Sequence, residues 1–596
     1  MKSDNYKITQ YSVSSILNYV ENSQIAIPEI QRPFVWKGEE VRALIDSLYE
    51  GYPIGYLIVW QNSQVRVRGF GKGGTKKILI DGQQRVTALM AALLGKEVLD
   101  EQYQSCRIRI AFNPLAQTGD ERFAVCDEKH EQDSKWIPDI SIFFRRDFSF
   151  RQFEKEYKEA NSGEDFTPLE ESVDTLKEIV KHQVGVIELS FLLDIDVVSE
   201  IFIRINLQGK PLNQEDFVMS KISVNEQYGG DYIRNCIDYF CHLLREPSFY
   251  QVLQQNETEF FNSEYGKALT WCQNEEQSLY IPSYADVLKV VLISYFGKTR
   301  IGDLVHLLSG RDGEKKSFSK KEISKKVSEE AFEKLGAGVK AFVCEENFQG
   351  FQKALKKAGY SCSRLLYSQS VLNYCYAMYL LMYRQGIGEK ERESLLSKWM
   401  TMAMITGHYQ SGGESTVQKD YANAQEEGFA SYLAQIEELK LTDEFYNNIL
   451  PEKFTSTTAR TAPFLAYVAT QCARGVHSLY SDVTIEELYK NKTESYQILP
   501  KAYLAKCGYK TREIYGQVAN LTYISKETKD IIRKKSPVDY KESLEKAIGI
   551  EKIRTSLKEN GLAETVFTAN ETDVIQILAD RRRQMASEIR DFYKTL

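Results

Sequence analysis

The chain has 596 residues, with 76 lysines and arginines against 83 aspartates and glutamates, a formal net charge of −7, and 43% hydrophobic and 27% charged residues. At roughly 100–200 residues per domain this length implies several domains, and the composition excludes a disordered or fibrous class. The charge excludes a global basic field, so any nucleic-acid contact has to come from local patches.

Two such patches stand out: Arg66, Arg68, Lys72, Lys76 and Lys77, and the run Arg581, Arg582 and Arg583. Each reads either as a phosphate contact or as a solvated face. The start, MKSDNYKITQ, lacks the basic-then-apolar pattern of a signal peptide, and no run of about 18 apolar residues occurs, so the expectation is a cytoplasmic protein without membrane contact. The ten cysteines include no C-x-x-C pair and there are six histidines, which argues against zinc ribbons, zinc fingers and a disulfide framework.

In chain order, "QIAIPEIQRPFVW" (24 to 36) is extended and proline-punctuated, "KGEEVRALIDSLYEGY" (37 to 52) is an amphipathic helix ended by Gly51, and "PIGYLIVWQ" (53 to 61) is a strand. In "ILIDGQQRVTALMAALLG" (78 to 95), Ile78, Leu79 and Ile80 form a buried strand, Gly82 permits a sharp turn, and Val86, Leu89, Met90, Leu93 and Leu94 mark a helix face. The polar residues Asp81 to Arg85 therefore sit where a strand hands over to a helix. Backbone N–H groups and the positive end of a helix dipole suit an anion there. Asp81 either holds a metal or a ribose hydroxyl or caps the helix, and Arg85 either grips a phosphate or makes a surface ion pair.

"CRIRIAFNP" (106 to 114) reads as a further strand, and "IFFRRDFSFRQF" (142 to 153) shows aromatics that look exposed. From 194 onwards the pattern turns helical, with Val197, Val198, Ile201 and Phe202 on one face and Asn213 as an N-cap. Arg204 and Asn206 precede the Gly209 break, as parts of an anion site or as a helix-end arginine and a turn asparagine. Residues 225 to 390 read as helices, with "GRDGEKKSFSKKEISKK" (310 to 326) as a charged loop and "VLNYCYAMYLLMY" (371 to 383) as a core helix. Further helices begin at 395, with Ser411-Gly412-Gly413 as a loop between two of them. "GKGGTKK" (71 to 77) lacks the spacing of a phosphate-wrapping loop, and no histidine has a partner at metal-ligand spacing.

Three segments together, "IPEIQRPFVWKGEEVRALIDSLYEGYPIG", "ILIDGQQRVTAL" and "IFIRINLQGKPLNQEDF", resemble the N-terminal domain of GmrSD-type restriction endonucleases over about the first 230 residues. The resemblance implies an α+β, multi-domain chain: a ParB/sulfiredoxin-like α/β domain (1–115), a mixed then helical domain (116–390) and a helical C-terminal domain (391–596). It implies bacterial anti-phage defence, with a nucleoside triphosphate and Mg²⁺ held by Gln31, Arg32, Asp81, Gly82, Gln83, Gln84, Arg85, Thr87, Arg204 and Asn206. Within that set Asp81, Gln84 and Arg85 would be catalytic, with Asp81 the metal ligand.

"SYQILPKAYL" (495 to 504) and "VANLTYISKETKDIIRKKSPVDYKESL" (518 to 544) are similar to the framework of the HNH-type nuclease that usually ends this family. Tyr496, Gln497, Pro500, Asn520 and Lys529 occupy its key positions, but Gln497 stands where the family has its histidine and Lys529 where it has a second asparagine. A glutamine does not titrate near neutral pH, and a lysine repels a divalent cation. Three readings follow. The first is a nucleotide hydrolase that senses nucleic acid or a phage signal, whose nuclease unit is inactive and whose cutting falls to a partner protein. The second is a binding subunit without turnover, and the third an endonuclease with a variant HNH site.

Overall fold

The computed structural model describes residues 5–22, 24–26, 36–62, 76–99, 105–117, 121–193, 197–198, 201, 214–223, 225–275, 278–310, 321–532, 535–568 and 573–596. The chain is α+β and multi-domain, and it divides into two units, Met1–Asp231 and Tyr232–Leu596.

The first unit is organised by strands β1 (Tyr6–Ser12), β2 (Ile25–Ala26), β3 (Tyr56–Asn62) and β4 (Lys76–Asp81), the short β5 (Val98–Leu99), β6 (Ser105–Cys106), β7 (Ile110–Phe112) and β8 (Phe123–Val125), and β9 (Gln183–Leu189). Five of them form one mixed sheet in the order β1-β9-β3-β4-β2. β3 lies at its centre, where Leu57, Ile58, Val59 and Trp60 are all buried. A continuous apolar run is what a strand covered on both faces requires. Leu57 and Val59 meet Leu79, Val184 and Val186 in the larger core with helices α1 (Val13–Glu21), α2 (Gly38–Tyr49) and α3 (Gln83–Leu94). On the other face Ile58 and Trp60 pack with Ile78, Leu189 and Val198. α2 follows its sequence pattern, burying Val41, Leu44, Ile45 and Leu48 at helical spacing.

Two expectations need correcting. The strand read over 106–114 is broken into β6 and β7, because Arg107 turns aside to bond the Gly95 carbonyl at 2.8 Å and Asp139 at 2.6 Å. The aromatics of 142–153 are core residues: Phe143 is buried, and Phe148, Phe150 and Phe153 pack against it or one another beside Tyr157. A 3-10 turn over Ile140–Phe144 followed by the helix Phe150–Ala160 folds that run back on itself, which a single period does not capture.

Helices dominate the second unit. Gln369–Arg384 buries every residue from Val371 to Met382, confirming it as a core helix. Two of the tyrosine hydroxyls in this core are satisfied internally, Tyr376 donating to the Phe342 carbonyl at 2.6 Å and Tyr280 to Asn373 at 2.8 Å. A separate apolar cluster gathers Ile498, Leu499, Leu504, Ile524, Ile532 and Tyr540 around the two-stranded pair β10 (Tyr496–Gln497) and β11 (Leu521–Thr522). No described helix is long and apolar enough to cross a membrane, and all ten cysteines are free thiols.

Candidate functional site

The turn from β4 into α3 is built by one glycine and one irregular strand pairing. Gly82 is the N-cap of α3 at φ 94°, a left-handed conformation that glycine adopts without a Cβ penalty. A Cβ there would also stand 2.2 Å from Leu57 Cδ2, so β3 presses directly on the turn. Opposite, Ile58 pairs with Asp81 and Val59 with Leu79, which leaves Ile80 as the extra residue of a bulge. Bulges re-aim the side chains beside them, and this one precedes Asp81.

Asp81 therefore does not cap α3, contrary to one sequence alternative: the cap has no side-chain hydrogen bond, and Asp81 Oδ2 instead accepts from Arg85 Nη2 at 3.1 Å. Nor is Arg85 a surface residue. Its side chain is 18% exposed, and Nη1 donates to the Ile54 carbonyl at 3.0 Å. Burial lowers the Arg85 pKa while Asp81 opposes that shift. Gly55, at φ 88°, makes room for the guanidinium, since a Cβ there would meet Nη1 at 2.8 Å. Ile54 and Gly55 are the residues that sequence reasoning missed. The glycine of "PIGY" just ahead of a strand was the available signal.

The remaining residues fall as follows. Gln83 Nε2 donates to the Leu79 carbonyl at 3.2 Å, tying the first turn of α3 to the strand it leaves. Gln84 and Thr87 lie half-buried on α3. Gln31, Arg32, Arg204, Asn206 and Asn213 lie outside the described residues, as do Arg66, Arg68 and Lys72.

Lys77 is half-buried and bonded rather than solvated. It bonds Glu188 at 2.8 Å and the Tyr11 hydroxyl at 2.6 Å, and Lys7 reaches the same carboxylate at 2.9 Å. Burial would raise the Glu188 pKa, but the bonds from Lys77, Tyr11 and Lys7 outweigh it and hold the group at about 2. In the second unit Arg581 is likewise buried, bonding the Asn560 and Leu521 carbonyls at 2.8 and 3.1 Å, while Arg582 bonds Gln517 and Arg583 pairs with Asp580.

The nuclease-like positions come together around β10 and β11. Gln497 on β10 spends both ends of its amide, donating to the Tyr515 carbonyl at 3.1 Å and accepting from Lys501 N at 3.1 Å. Asn520 is fully buried and holds Leu499 N and O at 2.9 Å each, together with the Tyr515 carbonyl at 3.0 Å. Tyr496 pairs across to Thr522, Pro500 caps the helix Lys501–Lys506, and Lys529 is exposed on the helix Lys526–Ile532. Among the described residues no three His, Cys, Asp or Glu side chains form a metal cage.

Residues 13–223 match the family described as GmrSD restriction endonuclease, N-terminal domain. Over that stretch the chain is similar to a GmrSD N-terminal domain. That match runs from the first residue of α1 through the helix Gln214–Ser223 and so contains the β4–α3 turn with its Asp81–Arg85 pair. That similarity points residues 13–223 towards restriction-type defence and dealings with nucleic acid. No curated protein matches the chain.

Proposed function

We propose that the first unit binds a nucleoside triphosphate at the β4–α3 turn and hydrolyses it in the course of restriction-type defence. The observation that carries this reading is the partly buried Asp81–Arg85 pair set at the first turn of a twelve-residue helix whose glycine cap offers no side chain. A helix start of this kind favours a phosphate. Asp81 Oδ1 takes no part in the pair with Arg85, and a single carboxylate with phosphate oxygens and water is a common Mg²⁺ arrangement. The metal would supply charge neutralisation on the phosphates. Gly82 lets backbone approach the ligand, Arg85 supplies a positive charge on the phosphoryl side, and Gln84 orients what lies in front of the turn.

A second reading, a nucleotide-binding subunit without turnover whose cutting is done by a partner nuclease, draws support from two features. Arg85 is already engaged by Asp81 and Ile54, and the amides of Gln497 and Asn520 are committed to backbone. A glutamine at the position where the family has its histidine would leave the nuclease-like unit without a general base there.

Phosphate release from ATP, GTP, CTP and UTP with Mg²⁺, with and without DNA, tests the proposal beside Asp81→Ala. The expected result is release by the parent and at least a hundredfold loss in the variant. Nucleotide binding without release establishes the subunit reading, and equal binding by parent and variant overturns the placement of the site.

A further inference from the structure

The helical unit carries an open pocket of about 330 Å³, at the small end of the roughly 300–1,000 Å³ range of small-molecule sites. It opens where the helices Gln369–Arg384, Gly413–Glu427 and Ala462–Ala473 begin, and none of the three carries a side-chain cap bond. Tyr367, Tyr374 and Tyr409 line it, the ring of Tyr367 exposed and the other two buried beneath. Tyr374 and Tyr409 pack with centroids 5.1 Å apart at 58°. The Tyr409 hydroxyl is engaged by Trp399 Nε1 at 3.2 Å and by Asp420, so what this residue offers the cavity is its ring.

The polar part of the lining includes Gln410 and Glu414. Glu414 pairs with Lys289 through Oε1, and its Oε2 stands outside that pair. No lysine or arginine lines the cavity among the described residues. The one charged group on the described lining is the Glu414 carboxylate, with its cation set back on Lys289, which disfavours a phosphate in this space, whereas ring surface beside an amide and a carboxylate suits an uncharged planar ring with N–H donors on its edge.

We propose that this cavity binds a nucleobase bearing an exocyclic amine, stacked on the tyrosine surface with the amine donating to Glu414 Oε2. Glutamate accepting from an exocyclic amine is a recurrent means of base recognition, and Gln410, both donor and acceptor, complements the neighbouring ring position. A free nucleoside and a base extruded from a strand present the same chemistry. The inference stands independently of nucleotide turnover at the β4–α3 turn, which lies in the other unit.

The full chain is titrated with 2-aminopurine riboside, whose fluorescence falls on stacking, and the probe is then displaced with adenosine, inosine, cytidine and uridine. Adenosine and cytidine are expected to displace it about tenfold better than inosine and uridine, the size of one lost polar contact. Glu414→Ala is expected to abolish that preference, Lys289→Ala to keep it, and Tyr367→Ala to weaken all ligands about tenfold. Glu414 and Tyr367 are exposed, so thermal melts of these variants should match the parent. Asp81→Ala should bind the riboside as the parent does. An absence of quenching overturns the proposal, as does quenching lost in Asp81→Ala but retained in Glu414→Ala and Tyr367→Ala. A duplex carrying 2-aminopurine opposite an abasic site separates the sources: tighter binding than the riboside identifies an extruded base, and equal or weaker binding a free nucleoside.

Discussion

Glu188 and Glu588 carry the same carboxyl group into two kinds of burial, and opposite pH responses follow. Glu188 is met by Lys77, Tyr11 and Lys7 and is held at about 2. Glu588, 7% exposed at its side chain, has Arg474 no closer than 3.9 Å, and neither of its oxygens has a hydrogen-bond partner. Burial pushes it to about 7 against the pull of Arg581 and Arg474. A carboxyl whose folded pKa lies above its ordinary 4.5 contributes stability below pH 4.5 and loses that contribution as pH rises through 7. The difference amounts to about 3 kcal/mol. Glu588→Gln is therefore expected to flatten the denaturant midpoint between pH 4.5 and 7 and to stabilise the second unit at pH 8. At this scale the sequence was half legible: it set Asp81 and Arg85 at a strand–helix junction, but it disclosed neither their pairing with each other nor the Ile54 carbonyl that shares the guanidinium.

Among the elements, the β4–α3 junction was the most legible, because an apolar triplet, a glycine and a helical apolar face occur in sequence order. What the pattern did not disclose is the bulge at Ile80, which depends on where β3 lies. Similarly, Arg107 breaks an expected strand for the sake of Gly95 and Asp139, and such tertiary partners override local periodicity. The two kinds of glycine in this region can be told apart by substitution. Gly51, at φ 73° with nothing within 4 Å, should lose about 1–2 kcal/mol as Gly51→Ala from the left-handed backbone alone. Gly82→Ala adds the collision with Leu57 and should lose about 2–5 kcal/mol, read as a shift in the urea midpoint followed by tryptophan fluorescence. Equal losses at the two positions would show that β3 yields to the added methyl.

For the whole molecule, the helical character of the second unit was legible from its apolar spacing, while the division after Asp231 was marked only by where the family resemblance ends, near 230, since the boundary falls within a helical stretch without a compositional break. Two units with their own buried cores predict two calorimetric transitions rather than one. Between pH 7 and 4.5 the transition sensitive to Glu588→Gln should move to higher temperature as pH falls. The transition sensitive to Glu188→Gln should hold steady there and drop only below pH 4.5, as that carboxylate titrates towards about 2. A single transition, or both moving together, would refute the independence of the two carboxylates.

The sheet of the first unit also sets a clock on its own synthesis. β1 pairs with β9 along its full length, and the Tyr11 hydroxyl meets Glu188 across 177 residues of chain. At about 5–20 residues per second, a ribosome needs roughly 9–35 s to deliver the partner after β1 has been made. During that interval the edge of β1 that β9 will occupy has no strand to receive it, and Tyr6 and Ile8 on one face of the strand are exposed apolar residues. Nascent chains stalled before Gln183 are therefore the aggregation-prone species of this protein, and expression conditions that slow elongation lengthen their exposure.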